Sequence, residues 1–265
     1  MLSESRRDTP VPATTSPIPG VIQQRPTFDD ETIDTAMRHS APRRPGRPRH
    51  IPGPDTSDHP RDQILAVAAR LFVDRGYAGT STRDIAELVG IRQASLYYHF
   101  AGKPEILAEL LEMTVRPTLD KVAELDQIER PEAALYLLAL HDATSLARLM
   151  HNIGKLPGCP DVAQTPEAQQ YASARGQLRE TYGSLAVSCG SQAVTDTIHL
   201  HQLGNLILSN VESVIARRDD GDNVAAKELH AIAASILRLC GVPQAQIEVA
   251  AKVAIAAPGQ HPQAQ

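Results

Sequence analysis

The 265-residue chain is predicted to be all-α, and three observations carry that prediction. Apolar residues at 64, 65, 67, 68, 71 and 72 recur at the spacing of a helix with one buried side. Glycines at 76 and 90 and the run Gly154 to Pro160 interrupt such segments at helical lengths, while no alternating stretch is long enough to demand a sheet. Aromatic residues make up only 3% and tryptophan is absent, so alanine and leucine must fill the interior, which favours helices.

The first 58 residues are rich in Pro, Thr, Ser and Arg and have little periodicity, which reads as a disordered tail with room for one short helix over Asp29 to Arg38. A helix from Arg61 closes at Gly76. Ser81 or Thr82 caps the next helix, and Asp84 offers a reciprocal acceptor and complements the helix dipole. Ile85, Ala86, Leu88 and Val89 give that helix an apolar side, Gly90 ends it and Ile91 packs the turn. The third helix, about Gln93 to Phe100, is anchored by Leu96 and Phe100 and turns Arg92, Gln93, Ser95, Tyr97, Tyr98 and His99 outward. Beyond Lys103, helices are predicted over Pro104 to Leu125, Pro131 to His151, Pro166 to Val187, Gln192 to Arg218, Asn223 to Cys240 and Gln244 to Ala256. These divide the chain into a tail (1–58), a three-helix unit (59–105), a larger helical domain (106–257) and a short end (258–265).

Two short helices joined by a glycine turn form a helix-turn-helix pattern, which makes DNA the first partner to consider. The major groove admits one helix whose leading side chains meet base edges. Gln93 suits adenine, Arg92 suits guanine or phosphate, and Ala94 or a tyrosine ring suits a thymine methyl. With Tyr77, Thr80 to Thr82, the run Leu96 to Phe100 and Lys103, the segment from Arg61 to about Leu111 resembles the N-terminal DNA-binding domain of TetR-family transcriptional regulators. The resemblance implies that the helix with Gln93, Ala94 and Ser95 enters the groove, with Tyr97, Tyr98 and His99 along its contact side. It also implies a base or backbone contact for Arg83 and phosphate contacts for Thr82 and Lys103.

Formal charge is 0 over residues 1–58, +2 over 59–103 and −7 over 104–265, so the overall −5 hides a positive DNA end and an acidic remainder. Within the tail, Arg43-Arg44-Pro45-Gly46-Arg47-Pro48-Arg49 resembles an AT-hook, with Arg44, Arg47 and Arg49 facing the minor groove, although Pro45 stands where such cores carry arginine. Two readings stand for this segment: an arm in the minor groove, or a basic linker.

In the helical domain, Leu200, Leu203, Ile207, Leu208, Val211 and Val214 form one apolar stripe, and Leu229, Ile232, Ala233, Ile236 and Leu237 another. The resemblance implies that helices 192–218 and 223–240 build a homodimer, and packing within the chain is the other reading of the same stripes. Polar residues interrupt apolar faces at His141, Ser145, Arg148 and Asn152 and at Arg175, Arg179 and Tyr182, which marks them as candidate contacts to a small-molecule effector bearing oxygen atoms. His199, His201 and Asn205 are weaker candidates, and surface or satisfied core positions are the alternative for each.

No enzyme, cofactor or metal site is expected. His199-Leu200-His201 places its imidazoles on different helix faces, and Cys159, Cys189 and Cys240 lack metal spacing. There is no phosphate loop of recognised spacing, and Gly183-Ser184-Leu185-Ala186 lacks the second glycine of a nucleophile elbow. The absence of an apolar signal core or a run of membrane-spanning length leads to a cytoplasmic expectation with no membrane partner. Two functional readings remain. One is a dimeric regulator that binds double-stranded operator DNA and is released by an effector. The other is an architectural A·T-preferring protein or activator whose C-terminal domain serves only dimerisation or recruitment.

Overall fold

The computed structural model describes residues 59–219 and 224–256, and every described segment of regular structure is helical. The predicted tail, its AT-hook-like segment with Arg44, Arg47 and Arg49, and the end from 257 lie outside the described residues. Helices α1 (Pro60–Arg75), α2 (Thr82–Val89) and α3 (Gln93–His99) fall within a residue or two of their predicted spans. Their shared core is Ile64, Leu65, Ala68, Phe72, Ile85, Leu96 and Phe100, all nearly solvent-free. Gly90 adopts the left-handed conformation, φ 80°, and its N–H and that of Ile91 close the end of α2 onto Ala86 and Glu87 carbonyls.

The long helix α4 (Lys103–Val122) joins the two parts. Ile106, Leu107 and Leu110 lie near its start, and Thr114, Val115 and Thr118 are buried further along, so the predicted division after residue 105 falls inside its first turn. Helix α5 (Pro131–Arg148) is the axis of the larger domain: every residue from Ala133 to Leu140 is buried. A helix apolar on all sides cannot lie at a surface. It is surrounded by α4, α7 (Pro166–Cys189), α9 (Leu200–Asp219), α10 (Ala226–Leu239) and α11 (Gln244–Ala256), with the single-turn helices α6 (Pro160–Ala163) and α8 (Gln192–Thr195) as connectors.

Two boundaries differ from the sequence expectation. The α5 helix stops at Arg148 rather than His151, because the Arg218 guanidinium donates to the Leu146 and Leu149 carbonyls and so takes over the ends of the ladder. His151 and Asn152 then take positive φ values of 46° and 52°, a kink inside the 3₁₀ segment Met150–Gly158. The stretch 192–218 is not one helix: Thr195 and Thr197 hydroxyls bond back to the carbonyls of Ser191, Gln192 and Ala193. A fresh start follows, where Gln202 Oε1 accepts the His199 N–H at 3.0 Å.

The apolar stripes predicted on 192–218 and 223–240 are used within the chain. Leu203, Ile207, Val211 and Val214 of α9 are fully buried, and α9 packs mainly on α7. Leu229, Ala233, Ile236 and Leu237 of α10 are buried, with α5 as that helix's main neighbour. Small residues set the α7–α9 distance, since a Cβ on Gly204 would run into the Arg179 carbonyl and one on Gly183 into the Leu200 carbonyl. Cys189 and Cys240, isolated in sequence, come together where Ser191 N–H donates to the Cys240 carbonyl at 2.9 Å. Hydrogen bonding to Cys240 and burial push the Cys189 thiol up.

Because the Gly204 contact is backbone to backbone, Gly204→Ala is expected to destabilise the fold by about 1–3 kcal/mol in urea denaturation. Gly158→Ala, with open space around it, should stay within about 0.5 kcal/mol.

Candidate functional site

The α2–α3 surface is built locally. Ser81 Oγ accepts the Asp84 N–H at 3.2 Å while Asp84 Oδ2 accepts the Ser81 N–H at 2.8 Å, the reciprocal cap expected for Ser81. Hydrogen bonds from the Ser81 hydroxyl and backbone hold the Asp84 carboxyl below its ordinary range. Leu96 and Phe100 bury the inner side of α3, which fixes the opposite side outward.

On that outer side the structure brings several predicted residues together. Gln93 Nε2 donates to Thr82 Oγ1 at 3.1 Å, and Thr82 Oγ1 lies 3.2 Å from the Tyr97 hydroxyl. Arg83, Arg92, Ala94 and Ser95 are exposed around this cluster. Tyr97 is 50% and Tyr98 87% exposed, and the Tyr98 ring meets His99 edge-on at 5.3 Å between centroids. Two exposed tyrosines beside amide, hydroxyl and guanidinium groups offer both hydrogen bonds and apolar contact to a base edge.

Lys103 is placed differently from its neighbours. Its ammonium donates to the Tyr77 and Thr80 carbonyls at 2.8 and 2.9 Å and lies 4.2 Å from the Tyr77 ring centroid. It therefore ties the start of α4 to the α1–α2 turn. Its location at the α4 N-terminus is the predicted one, but two of its three hydrogens are committed inside the protein.

The predicted effector residues separate into two groups, with Ser145 and Arg148 in neither. Arg175 and Arg179 line a cavity of about 610 Å³ between the 3₁₀ segment, α7 and α9, together with Lys155, Tyr171, Glu212 and Ile215. Arg175 spans it with a two-pronged ion pair to Glu212 at 2.7 and 2.8 Å. At its inner end a pocket of about 20 Å³, roughly one water, reaches Thr114 and Asp142. The other group is structural. Tyr182 is fully buried and donates to Asp142 Oδ2 at 2.9 Å. Asn152 donates to the Ile215 carbonyl and accepts from Arg218, so both ends of its amide are used holding the bend after α5. His141 Nε2 lies 3.1 Å from the Pro117 carbonyl, and burial pushes its pKa down. Ser145 and Arg148 line neither cavity.

Sequence reasoning missed Asp142, Tyr171, Glu212 and Asp161. An acid inside the apolar run around Leu140 and Ala143, and another between Val211 and Val214, were the available signals. Asp161 of α6 accepts the Ala78 N–H at 2.7 Å, joining the cavity side of the molecule to the turn before α2. Burial pushes the Tyr171 hydroxyl up to about 12 and raises Asp142 from 3.8 to about 6, the latter against hydrogen bonds from Thr118 and Tyr182 that favour ionisation. Among the described residues no group of His, Cys, Asp and Glu is arranged to hold a metal ion, and no helix is long and apolar enough to cross a membrane.

Residues 64–110 match the family model described as bacterial regulatory proteins, tetR family. The repressor KstR2 of Mycolicibacterium smegmatis is 46% identical over 61 residues, 22% of this chain and 30% of KstR2. The regulator TtgR of Pseudomonas putida is 39% identical over 69 residues, 26% of this chain and 32% of TtgR. This chain thus matches less than a third of the length of these curated relatives. Similarity over a whole molecule comes from the crystal structure of Mycobacterium smegmatis AmtR, at TM-score 0.67 and 33% identity, covering 82% of this chain and all of that one. The TetR-family regulator PfmR of Thermus thermophilus has TM-score 0.56 and 25% identity, covering 67% of this chain and 95% of PfmR.

A carboxyl raised on folding favours the folded state fully below about pH 4, and that contribution is lost as pH rises through 6. Urea unfolding of the protein and of Asp142→Asn should therefore diverge by about 3 kcal/mol between pH 4 and 7, the native chain losing the stability and the variant lacking that slope.

Proposed function

This chain belongs to the TetR family of bacterial regulatory proteins, and on that premise we propose that it is a ligand-responsive transcriptional repressor. It binds a palindromic operator as a homodimer through residues 92–99 and is released when a small molecule enters the helical domain. The observation that carries this reading is the outer side of α3: Gln93 and Tyr97 gathered on Thr82, with Tyr98 almost fully exposed beside them. An aromatic pair left in water on a short helix pinned from behind is suited to a groove.

Palindromic half-sites one helical turn apart require two equally spaced copies of α3, hence a dimer. The outward surfaces of α9 and α10 are proposed to supply its interface, with Leu206, 45% exposed, at the centre of the α9 side. A regulator of this kind acts on chromosomal DNA and so works in the cytoplasm.

The cavity supports effector response over a purely architectural role. Its wall includes Gly154, Lys155, Pro157 and Gly158 of the 3₁₀ segment, and the same segment packs on α1. Asp161, just beyond it, holds the Ala78 N–H. A molecule that favours one position of this wall also favours one position of the DNA-reading unit, which is the differential binding that allostery requires.

Footprinting of the gene's own upstream region tests the proposal: a short palindromic footprint is expected, and broad A·T-biased protection would overturn it. Gln93→Ala with Tyr97→Ala should weaken specific binding about 10- to 100-fold in gel-shift titrations while light scattering still reports a dimer. Unchanged operator affinity would refute the contact assignment.

A further inference from the structure

The outer side of α3 is organised around one hydroxyl that belongs to α2. Thr82 is the first residue of α2 and Gln93 the first of α3, with Tyr97 one turn further along the same side. Gln93 Nε2 donates to Thr82 Oγ1 at 3.1 Å, and Thr82 Oγ1 lies 3.2 Å from the Tyr97 hydroxyl. Both helices are held from behind: the Ser81–Asp84 cap fixes the start of α2, and the buried Leu96 fixes which side of α3 turns outward. Thr82 is half-buried whereas Gln93 and Tyr97 are exposed, so the two exposed side chains lean on a partner that the fold keeps in place.

That contact bears on the choice of base. A glutamine amide has two N–H donors on one nitrogen and an acceptor oxygen. With one N–H committed to Thr82, Gln93 keeps one donor and one acceptor. Adenine shows the major groove one acceptor, N7, and one donor, the N6 amino group, which complements what remains. Guanine shows two acceptors, N7 and O6, and so asks for two donors, one of which is already spent. Thymine and cytosine each offer the amide a single polar group. Holding the amide also removes rotamer freedom before DNA arrives, so less is lost when the pair forms.

We propose that Thr82 is a positioning residue that makes Gln93 a reader of adenine and sets it against guanine. This rests on the reading of the chain as an operator-binding regulator and adds what decides one base in each half-site. The Thr82 hydroxyl acts through Gln93, and its contribution is to discrimination rather than to a contact with the DNA backbone.

Selection by the full-length protein from duplexes with a randomised core of about 20 base pairs, room for two half-sites, followed by gel-shift competition, provides the test. Gln93→Ala locates the contacted position as the one where base preference is lost. There the native protein should favour adenine over guanine about tenfold or more, the size expected of one bidentate pair. Thr82→Val and Thr82→Ala should both bring that ratio to about threefold or less while preferences elsewhere in the site stand, and Thr82→Ser should keep it. Adding Thr82→Val to Gln93→Ala should change the ratio no further. The readout is a ratio within one protein, so partial unfolding of a variant does not move it. Equal weakening on every sequence with the ratio kept, the mark of a phosphate contact, would overturn the inference. So would an unchanged ratio in both Thr82 variants, a native preference for a base other than adenine, or a Gln93→Ala variant that loses no base preference. In each of those cases the native motif still stands and with it the operator reading, whereas a native protein that enriches no motif removes both.

Discussion

Everything in the larger domain depends on α5 having no polar side to give to water. From Ala133 to Leu140 the helix is buried on every face, so it is stable only inside a sheath of other helices. That requirement gathers α4, α7, α9, α10 and α11 around it. It also explains why polar groups on α5 are satisfied internally. Asp142 accepts from Thr118 of α4 and Tyr182 of α7, which ties three helices together through one carboxylate.

The same packing places the cavity at a junction. α4 begins in the core of the DNA-reading unit and carries Thr114 and Val115 to the inner pocket. The 3₁₀ segment walls the outer cavity and packs on α1, and Asp161 caps Ala78 in the next turn. Two separate routes of contact thus run between the cavity and the unit bearing α3. Packed helices shift between discrete arrangements rather than deform smoothly.

Electrostatics divides the labour between the two arginines that share α7. Arg175 is paired across to α9, a structural bridge, whereas Arg179 is held in the wall without a counter-charge. The pairing follows from Glu212, the acid of α9 that lines the cavity among the described residues. Arg179 makes its close approach to α9 over Gly204, through its carbonyl and its Cγ, and also lines the cavity.

The sequence by itself determined the all-α class, the three-helix unit and the exposed side of α3. Its signals there act over short spans: the Ser81–Asp84 cap, the glycine at 90, and Leu96 with Phe100 four residues apart are interactions within one turn or so. Only the tertiary structure decided where α5 stops, because Arg218 lies about seventy residues from the carbonyls it takes. It decided that 192–218 is broken, that Tyr182 and Asn152 are structural while Arg175 and Arg179 face a cavity, and that Lys103 braces a turn. A polar residue on an apolar helix face reads the same in sequence whether its partner is a buried carboxylate, a backbone carbonyl or an effector. The partner is chosen by helices distant in the chain, and burial makes that choice binding, since each enclosed polar group must find an acceptor or donor where packing has put it.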